Sequence, residues 1–247
     1  LWGGTRGLKA GDYFFSEPLS VFSLSWRLTH SAYELEPVTI TIPEGFNNRE
    51  IATRLAEKLV RFDAGQFLRE AEGREGYLFP DTYRFLPNEK PDRVIAALEE
   101  NFMRRIKPLE QDLSAFGRPL SDVIIMASLI EEEARTDDTR RKVSGILWKR
   151  LQKGMPLQVD GVFPYIFGDK PYDLTNGDLL IDSPYNTYKY IGLPPTPISN
   201  PGLAAILAAV TPITTPYWYY LSDRDGNMHY AVTHDEHLVN RVKYLGK

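Results

Sequence analysis

The first part of the chain alternates between strand-like and helix-like spacing of its apolar residues. Residues 38–42 alternate apolar side chains with threonine, which is the pattern of a half-buried strand. Asn47 or Asn48 then precedes apolar residues at every fourth position and is expected to cap a helix. A similar unit is predicted before it, with residues 13–15 on a strand and Ser20 capping a helix. The chain is therefore expected to start with two small strand–helix units.

Three longer helices are predicted in the middle of the chain, each from apolar residues on one helical face. Their apolar faces span residues 94–106, 123–135 and 143–151, with caps expected at Ser121 or Asp122 and at Asp137 or Asp138. Residues 72–92 are rich in glycine, proline, aspartate and aromatic residues, so an ordered loop is predicted there.

After the third of these helices the chain becomes rich in proline. Ten of the 18 prolines lie between Pro156 and Pro216, which excludes a regular sheet or bundle over that stretch. Long loops in a compact protein tend to carry function. A short helix is expected to start at Asn200-Pro201, followed by a β-hairpin over 218–232 and a closing helix.

Taken together, these elements predict an α+β fold with three successive regions. Residues 1–72 form a small strand–helix region, and residues 73–119 form a connecting loop and helix. Residues 120–247 form a larger domain of helices and a β-hairpin with long proline-rich loops.

Composition narrows the classes of function. The 247 residues are 43% apolar and 25% charged, as in ordinary globular proteins, and the net charge of −4 provides no basic field for nucleic acid. The absence of cysteine excludes disulfides, thiolate metal sites and thiol nucleophiles. No apolar run approaches the ~18 residues of a membrane span. The chain begins with Leu1 rather than methionine, so an anchoring segment is expected before it.

The strongest candidate for acid–base chemistry is a run of three glutamates at the end of the second long helix. Burial among apolar groups favours the protonated form of a carboxyl group. Ser128 lies one turn before Glu131 on the same face, where a small side chain leaves space for a ligand. Glu132 and Glu133 point roughly 100° and 200° away from Glu131, so the three side chains cannot share one environment. The alternative is a solvated acidic helix end without catalytic function.

A second cluster has the composition of a sugar-binding loop. Gln158 and Asp160 lie in the proline-rich stretch, and Ser183 begins a later segment whose candidate side chains are Tyr185, Asn186, Thr187 and Tyr188. Sugars bind to aromatic faces and to neutral hydrogen-bonding groups, and this mixture supplies both. A loop that satisfies its own polar groups is the alternative.

The histidines near the C-terminus do not have the spacing of a metal site. His234 and His237 are three residues apart rather than the four of a helical zinc-binding pair, and His229 lies on the expected hairpin. The sequence contains neither a nucleophile elbow nor a phosphate-binding glycine loop. We therefore expect no metal and no cofactor.

Five segments, in this order, resemble the YceG-like family, the endolytic murein transglycosylases of bacteria. They are Glu75-Gly76-Tyr77-Leu78-Phe79-Pro80-Asp81-Thr82-Tyr83, Ala127-Ser128-Leu129-Ile130-Glu131-x-Glu133, Leu157-Gln158-x-Asp160, Ser183-x-Tyr185-Asn186-Thr187-Tyr188 and Gly192-Leu193-Pro194-Pro195-x-Pro197-Ile198-x-Asn200-Pro201-Gly202. Each segment alone is a modest match, but the five together are specific, and the resemblance covers nearly the whole chain from Leu8 onward.

The resemblance implies an architecture and a location. It implies that residues 1–72, with Gly11-x-Tyr13-x-Phe15, are LysM-like and that residues 120–247 are the catalytic domain. It also implies an N-terminal membrane helix before Leu1, which places the catalytic part at the outer face of the bacterial cytoplasmic membrane. The implied partners are peptidoglycan glycan strands and peptidoglycan synthases.

The resemblance further implies an activity and a site. Glu131 maps onto the catalytic acid/base of the family. The implied enzyme cleaves the bond between N-acetylmuramic acid and N-acetylglucosamine, leaves 1,6-anhydro ends and so limits the length of glycan strands. The implied substrate-binding residues are Ser128, Glu133, Gln158, Asp160, Tyr185, Asn186, Thr187 and Tyr188. Two positions depart from the family pattern: Glu132 stands where some members have lysine, and Gly161 stands where proline is common.

Two other functions stay open at this point. In a hydrolytic muramidase, Asp160 or Glu133 would activate water, and the products would have reducing ends. In a non-catalytic wall-binding module, the LysM-like region would bind glycan and Glu131 would be structural. The ends released from glycan strands distinguish the three possibilities.

Overall fold

The computed structural model describes residues 7–11, 13–15, 17–33, 35–168 and 174–246. The helices in this part of the chain are α1 (Val21–His30), α2 (Asn48–Lys58), α3 (Ala64–Glu70), α4 (Pro91–Ile106), α5 (Glu110–Phe116), α6 (Leu120–Glu133), α7 (Asp137–Gln152), α8 (Val162–Phe167), α9 (Leu203–Val210) and α10 (His234–Leu245). The strands are β1 (Val38–Thr41), β2 (Thr82–Phe85), β3 (Tyr219–Ser222) and β4 (Met228–Ala231). Helices joined to two small antiparallel sheets confirm the predicted α+β class.

The first sheet closes a unit in which two helices lie between two strands. β1 pairs antiparallel with β2, with Val38 opposite Phe85 and Thr41 opposite Thr82. The predicted strand is confirmed, and so is the cap of α2, where Asn47 forms a capping box with Glu50. β2 lies in the segment expected to be a loop. Its four residues carry too little pattern to reveal a strand whose partner is distant in the sequence.

The largest apolar core surrounds α6, which packs against α7 and α9. Its residues from Val123 to Ile130 are all buried, so the helix has no solvent-facing side over two turns. A second core joins β1, α2, α3 and the first half of α4. The three carboxyl groups at the end of α6 therefore lie at the border of an apolar interior.

Several helix starts differ from the predicted ones by one or two residues. Ser121 and Asp122 lie inside the first turn of α6 and do not cap it. Thr136 caps α7, while Asp137 and Asp138 occupy its first turn, where acidic side chains interact favourably with the helix dipole. These candidates are adjacent in the sequence, and the path of the preceding chain decides which one becomes the cap.

The two ends of the described chain are less deeply packed. Residues 13–15 do not form the strand that was predicted, although Ser20 caps α1 as expected. The hairpin of β3 and β4 is confirmed and leads into α10. The start of the predicted 1–72 region and residues 169–173 of the proline-rich stretch lie outside the described residues.

Within the described part of the chain, no single helix has both the length and the apolar content of a membrane span. Residues 91–116 and 120–133 meet these requirements only together, and the chain bends by 108° between them.

Candidate active site

The Glu131 carboxyl group is held at both of its oxygens. Arg140 on α7 donates from Nη2 to Oε1 at 2.8 Å, and the backbone N–H of Gly202 donates to Oε2 at 2.8 Å. The side chains of Glu131 and Arg140 are only 6% and 12% exposed. A carboxylate with one cationic and one backbone donor is strongly stabilised, so this geometry suits the ionised form of Glu131.

A second carboxyl group approaches the same point from the turn after β1. A Cβ atom on Gly202 would lie 1.9 Å from Oε1 of Glu44, so only glycine allows this contact. Glu44 is exposed to solvent. Its partial burial and the charge of Glu131 raise the pKa of Glu44, and Arg140 opposes that rise. Two acids and one guanidinium therefore meet beside Gly202.

Asn200 holds the segments that build this site. Its Oδ1 accepts hydrogen bonds from the backbone N–H groups of Gly76 and Leu78, each at 2.9 Å. Its Nδ2 donates to the carbonyl of Phe46 at 2.9 Å, and its own carbonyl accepts from the Gly45 N–H at 3.0 Å. The Asn200-Pro201 pair predicts the start of a helix. The buried side chain instead joins three distant segments, and α9 starts after Gly202.

Glu75 completes this junction as a partly buried acid. Its Oε1 accepts from the Asn48 N–H at 2.9 Å and from Asn200 Nδ2 at 3.2 Å. Burial is the main cause that raises the pKa of Glu75 to about 7, and the bond from Asn48 opposes it. The junction therefore favours a protonated Glu75 at mildly acidic pH.

Ser128 has no open space beside it, contrary to the expectation from the sequence. It is fully buried, donates to the carbonyl of Ile125 at 2.8 Å and accepts from the N–H of Ile198 at 3.1 Å. Its hydroxyl therefore attaches the chain just before Asn200 to α6.

Glu132 lies between Glu131 and Glu133 in the last turn of α6. Its residue surface is exposed, while local burial, with Glu131 among the neighbouring acids, raises its pKa to about 7. Because Glu132 is exposed, solvent screens part of this effect.

Glu133 occupies a different environment from Glu131, as the helical geometry predicted. Burial, followed by the charge of Asp160, raises the pKa of Glu133 to about 7. The N–H of Gly161 donates to its Oε1 at 3.3 Å, and the Tyr220 hydroxyl lies beside the carboxyl group. A proline at position 161 would have no N–H for this contact, so the departure from the family pattern has a structural use.

A buried arginine that the sequence pattern does not reveal lies next to this second acid. Arg150 is 4% exposed and donates to the carbonyls of Trp218 and Leu157, at 2.7 and 2.8 Å. Burial lowers its pKa, while the charge of Glu133 acts in the opposite direction. The only sequence signal was a charged residue on the apolar face of α7.

The two polar segments proposed to bind sugar do lie side by side. The N–H of Gln158 donates to the carbonyl of Thr187 at 3.1 Å, and Thr187 Oγ1 accepts from the N–H of Val159 at 2.9 Å. The Tyr188 hydroxyl donates to Asp160. Gln158 is exposed, whereas Asp160 and Tyr188 are partly exposed.

Asn186 and Thr187, by contrast, are buried inside the loop. Asn186 Nδ2 donates to the carbonyls of Leu179 and Ile181, at 3.0 and 2.9 Å. Its Oδ1 accepts from the N–H of Tyr188. The structure thus places these two side chains where they brace the loop, while partly exposed Tyr185 pairs through its hydroxyl with Thr196 at 2.7 Å.

The C-terminal histidines contact other groups. His229 forms a 2.8 Å contact with Asp223 and stacks on Tyr244, with ring centroids 3.5 Å apart. The rings of His234 and His237 are 6.4 Å apart. Within the described residues, no three His, Cys, Asp or Glu side chains are grouped as a metal site would require.

Comparisons with known proteins identify relatives over most of the chain. The profile of the YceG-like family matches residues 2–243. An endolytic murein transglycosylase of Bacillus subtilis is 30% identical over 98% of this chain and 74% of its own length. The enzyme of the same name from Streptococcus pneumoniae is 26% identical over 96% of this chain, which spans about half (51%) of that protein. A crystal structure of a YceG-like protein from Listeria monocytogenes superposes with a TM-score of 0.75, at 27% identity, over 94% of this chain and 85% of that one.

Proposed function

Because this chain belongs to the YceG-like family, we propose that it is an endolytic murein transglycosylase, a lyase that cleaves peptidoglycan glycan strands. The names of its relatives favour this activity over a hydrolytic muramidase or a non-catalytic binding module. The observation that carries the proposal is the Glu131 carboxyl group, held by Arg140 and Gly202 where three distant segments meet.

In the first step, protonated Glu131 donates its proton to the glycosidic oxygen that leaves C1 of N-acetylmuramic acid. The C1–O bond breaks, its electron pair stays on the leaving oxygen, and an oxocarbenium-like centre forms. Proton transfer leaves Glu131 as a carboxylate. The donors from Arg140 and Gly202 already point at its two oxygens, so they stabilise the charge that develops during the step.

In the second step, the 6-hydroxyl of the same sugar attacks C1. Glu131 takes the hydroxyl proton and returns to its starting state, while the sugar closes into a 1,6-anhydro ring. No water enters the product. One carboxyl group is sufficient for the whole cycle because intramolecular attack replaces an enzymic nucleophile.

We infer that the glycan lies along the surface formed by residues 157–160 and 183–188. Exposed Gln158 and partly exposed Asp160, Tyr185 and Tyr188 are the side chains available for contact. Asn186 and Thr187 hold the loop in shape, Ser128 fixes the chain before Asn200, and Glu133 supports the floor of the site.

The finer architecture and location follow from the family in the same way. The LysM-like part was predicted to cover residues 1–72, but β2 lies beyond that boundary and pairs with β1. We therefore propose that the LysM-like part includes the unit formed by β1, α2, α3 and β2. Since murein lies outside the cytoplasmic membrane, the enzyme acts on the extracytoplasmic side. An N-terminal membrane anchor and peptidoglycan synthases as partners complete this proposal.

The test is to digest long, purified glycan strands in water enriched in oxygen-18 and to weigh the products. We expect unlabelled 1,6-anhydro ends on fragments of mixed length, and none with Glu131→Gln. Heavy oxygen at new reducing ends would identify a hydrolase. Disaccharides as the first products would identify an exo-acting enzyme, and binding without cleavage a wall-binding module.

A further inference from the structure

The proposed reaction makes two opposite demands on Glu131. The carboxyl group must hold a proton before it acts as the acid, and it must be a stable carboxylate before it acts as the base. The bond from Arg140 and the N–H of Gly202 both favour the carboxylate. A negative charge close to these donors would oppose their effect and favour the proton that the first step needs.

Glu44 supplies an opposing charge at the same point. Its Oε1 lies against the α-carbon of Gly202, the residue whose N–H bonds Oε2 of Glu131. A Cβ atom on neighbouring Gly45 would lie 3.7 Å from Cγ of Glu131, so this turn packs directly against the Glu131 side chain.

The contact depends on the fold. Glu44 follows β1 and Glu131 ends α6, and Asn200 attaches the turn by two backbone bonds, to Phe46 and from Gly45. Glu44 remains exposed to solvent while the side chain of Glu131 is 6% exposed. Glu44 thus borders the accessible side of the site and Arg140 its interior side.

We propose that Glu44 and Arg140 are opposed positioning residues for the reaction of Glu131. The carboxylate of Glu44 favours the protonated Glu131 that donates to the leaving oxygen, and the guanidinium of Arg140 favours the ionised Glu131 that takes the proton from the 6-hydroxyl. This inference rests on the proposed function. It adds two residues that act through Glu131 and assigns them opposite effects.

The other charges near the pair fit this arrangement. Glu132 lies next to Glu131 and adds a negative charge only where it is ionised, since its own pKa is raised to about 7. Asp137 lies 3.8 Å from Arg140 but is 85% exposed and strongly screened. The coupling also acts on Glu44, since burial and then Glu131 raise the pKa of Glu44 while Arg140 lowers it.

The test is the pH dependence of kcat/KM on glycan strands for Glu44→Gln and Arg140→Gln. Loss of Glu44 removes a like charge from Glu131, so the alkaline limb of the profile is expected to move to lower pH by about one unit. Loss of Arg140 removes an attractive charge and is expected to move the same limb to higher pH by about one unit. If the two residues were purely structural, both variants would be slower, but their alkaline limbs would not move in opposite directions.

Three variants control the test. Glu57→Gln removes an exposed charge from α2 and is expected to leave the profile in place. Arg140→Lys keeps the charge and is expected to hold the limb near its wild-type position. If Arg140→Gln does not fold, the profile of Arg140→Lys is the one to compare with that of Glu44→Gln. The inference would be overturned if the alkaline limbs of Glu44→Gln and Arg140→Gln stayed at the wild-type pH or moved in the same direction. If Glu131→Gln remains active, the proposed function itself fails.

Discussion

Two glutamates, two residues apart at the end of α6, face different chemical environments. Glu131 is paired with Arg140 and bonded by the N–H of Gly202, which suits a carboxylate. Glu133 faces the interior near Asp160, and burial raises its pKa to about 7, which suits a proton. A raised proton affinity is therefore not sufficient evidence for a catalytic acid, because the acid must also reach the substrate.

The neighbours of the two acids differ in their exposure to solvent. Glu131 adjoins solvent-exposed Glu44 and stands where three segments from distant parts of the chain meet. The interior around Glu133 is occupied by Gly161, Tyr220 and the buried Arg150. These neighbours support the proposal that Glu131 carries the chemistry and that Glu133 has a supporting role.

The largest expected effect is the loss of activity in Glu131→Gln. A single acid/base that acts in both steps should contribute at least the upper end of the ~10²–10⁴-fold range for general acid catalysis. Glu133→Gln is the matched control and should stay within about tenfold of wild type. Glycan cleavage is measured by release of anhydro ends, with thermal unfolding to verify the fold. Loss of activity in Glu133→Gln, with Glu131→Gln still active, would reverse the assignment.

The next effect concerns the loop beside Glu133. Asn186→Ala leaves two partly buried carbonyls and one N–H without their side-chain partner, and should lower the free energy of unfolding by up to about 3 kcal/mol. In a chain of this size that corresponds to roughly 6–12 °C in Tm. Tyr185→Phe, at a partly exposed position, should change Tm by much less. An Asn186→Ala protein with unchanged Tm but impaired cleavage would make Asn186 a glycan contact instead.

A smaller effect is expected in the pH dependence of stability. The pKa of Glu133 is about 7 in the folded protein against an ordinary value of 4.5. The folded state therefore binds this proton more tightly, and the resulting stability, at most about 3 kcal/mol, is present below pH 4.5 and lost as pH rises through 7.

Thermal unfolding of Glu133→Gln at several pH values checks this expectation. Relative to wild type, the variant should gain Tm between pH 5 and pH 8, because glutamine cannot ionise. Glu75→Gln should behave similarly, since the pKa of Glu75 is also about 7. A difference in Tm that is the same at every pH would show that Glu133 titrates normally.

Removal of divalent cations is expected to have no effect on activity. His229 is paired with Asp223 and stacked on Tyr244, and the proposed steps at Glu131 need no Lewis acid. Dialysis against a chelator should leave the rate of glycan cleavage unchanged. Activity that is lost on dialysis and restored by one divalent ion would point to a metal role for the C-terminal histidines.

The predictable parts of the fold are those in which apolar periodicity and capping residues lie close together in the sequence. The alternation over residues 38–42 gave β1, and Asn47 gave the start of α2. The apolar run from Val123 gave α6, and the expected hairpin became β3 and β4. β2 escaped detection because its identity as a strand depends on pairing with β1.

The candidate site was predictable only where the signal was local. The spacing of Glu131 and Glu133 along one helix already placed them on different sides, and the contacts confirm this geometry. Arg140, Glu44 and Asn200 carried no such signal. Each looked like an ordinary surface charge, turn residue or helix cap until the fold brought them together.

The local elements, the α+β class and the position of the glutamates at the end of an apolar helix follow from the amino-acid pattern alone. Periodicity and capping act within a few residues, so they can be read without the fold. The tertiary structure decided which carboxyl group has a cation, which is buried and which loop side chains remain exposed. Those properties depend on distances between residues far apart in the chain, such as Gly202 and Glu44, and they exist only once the core has packed.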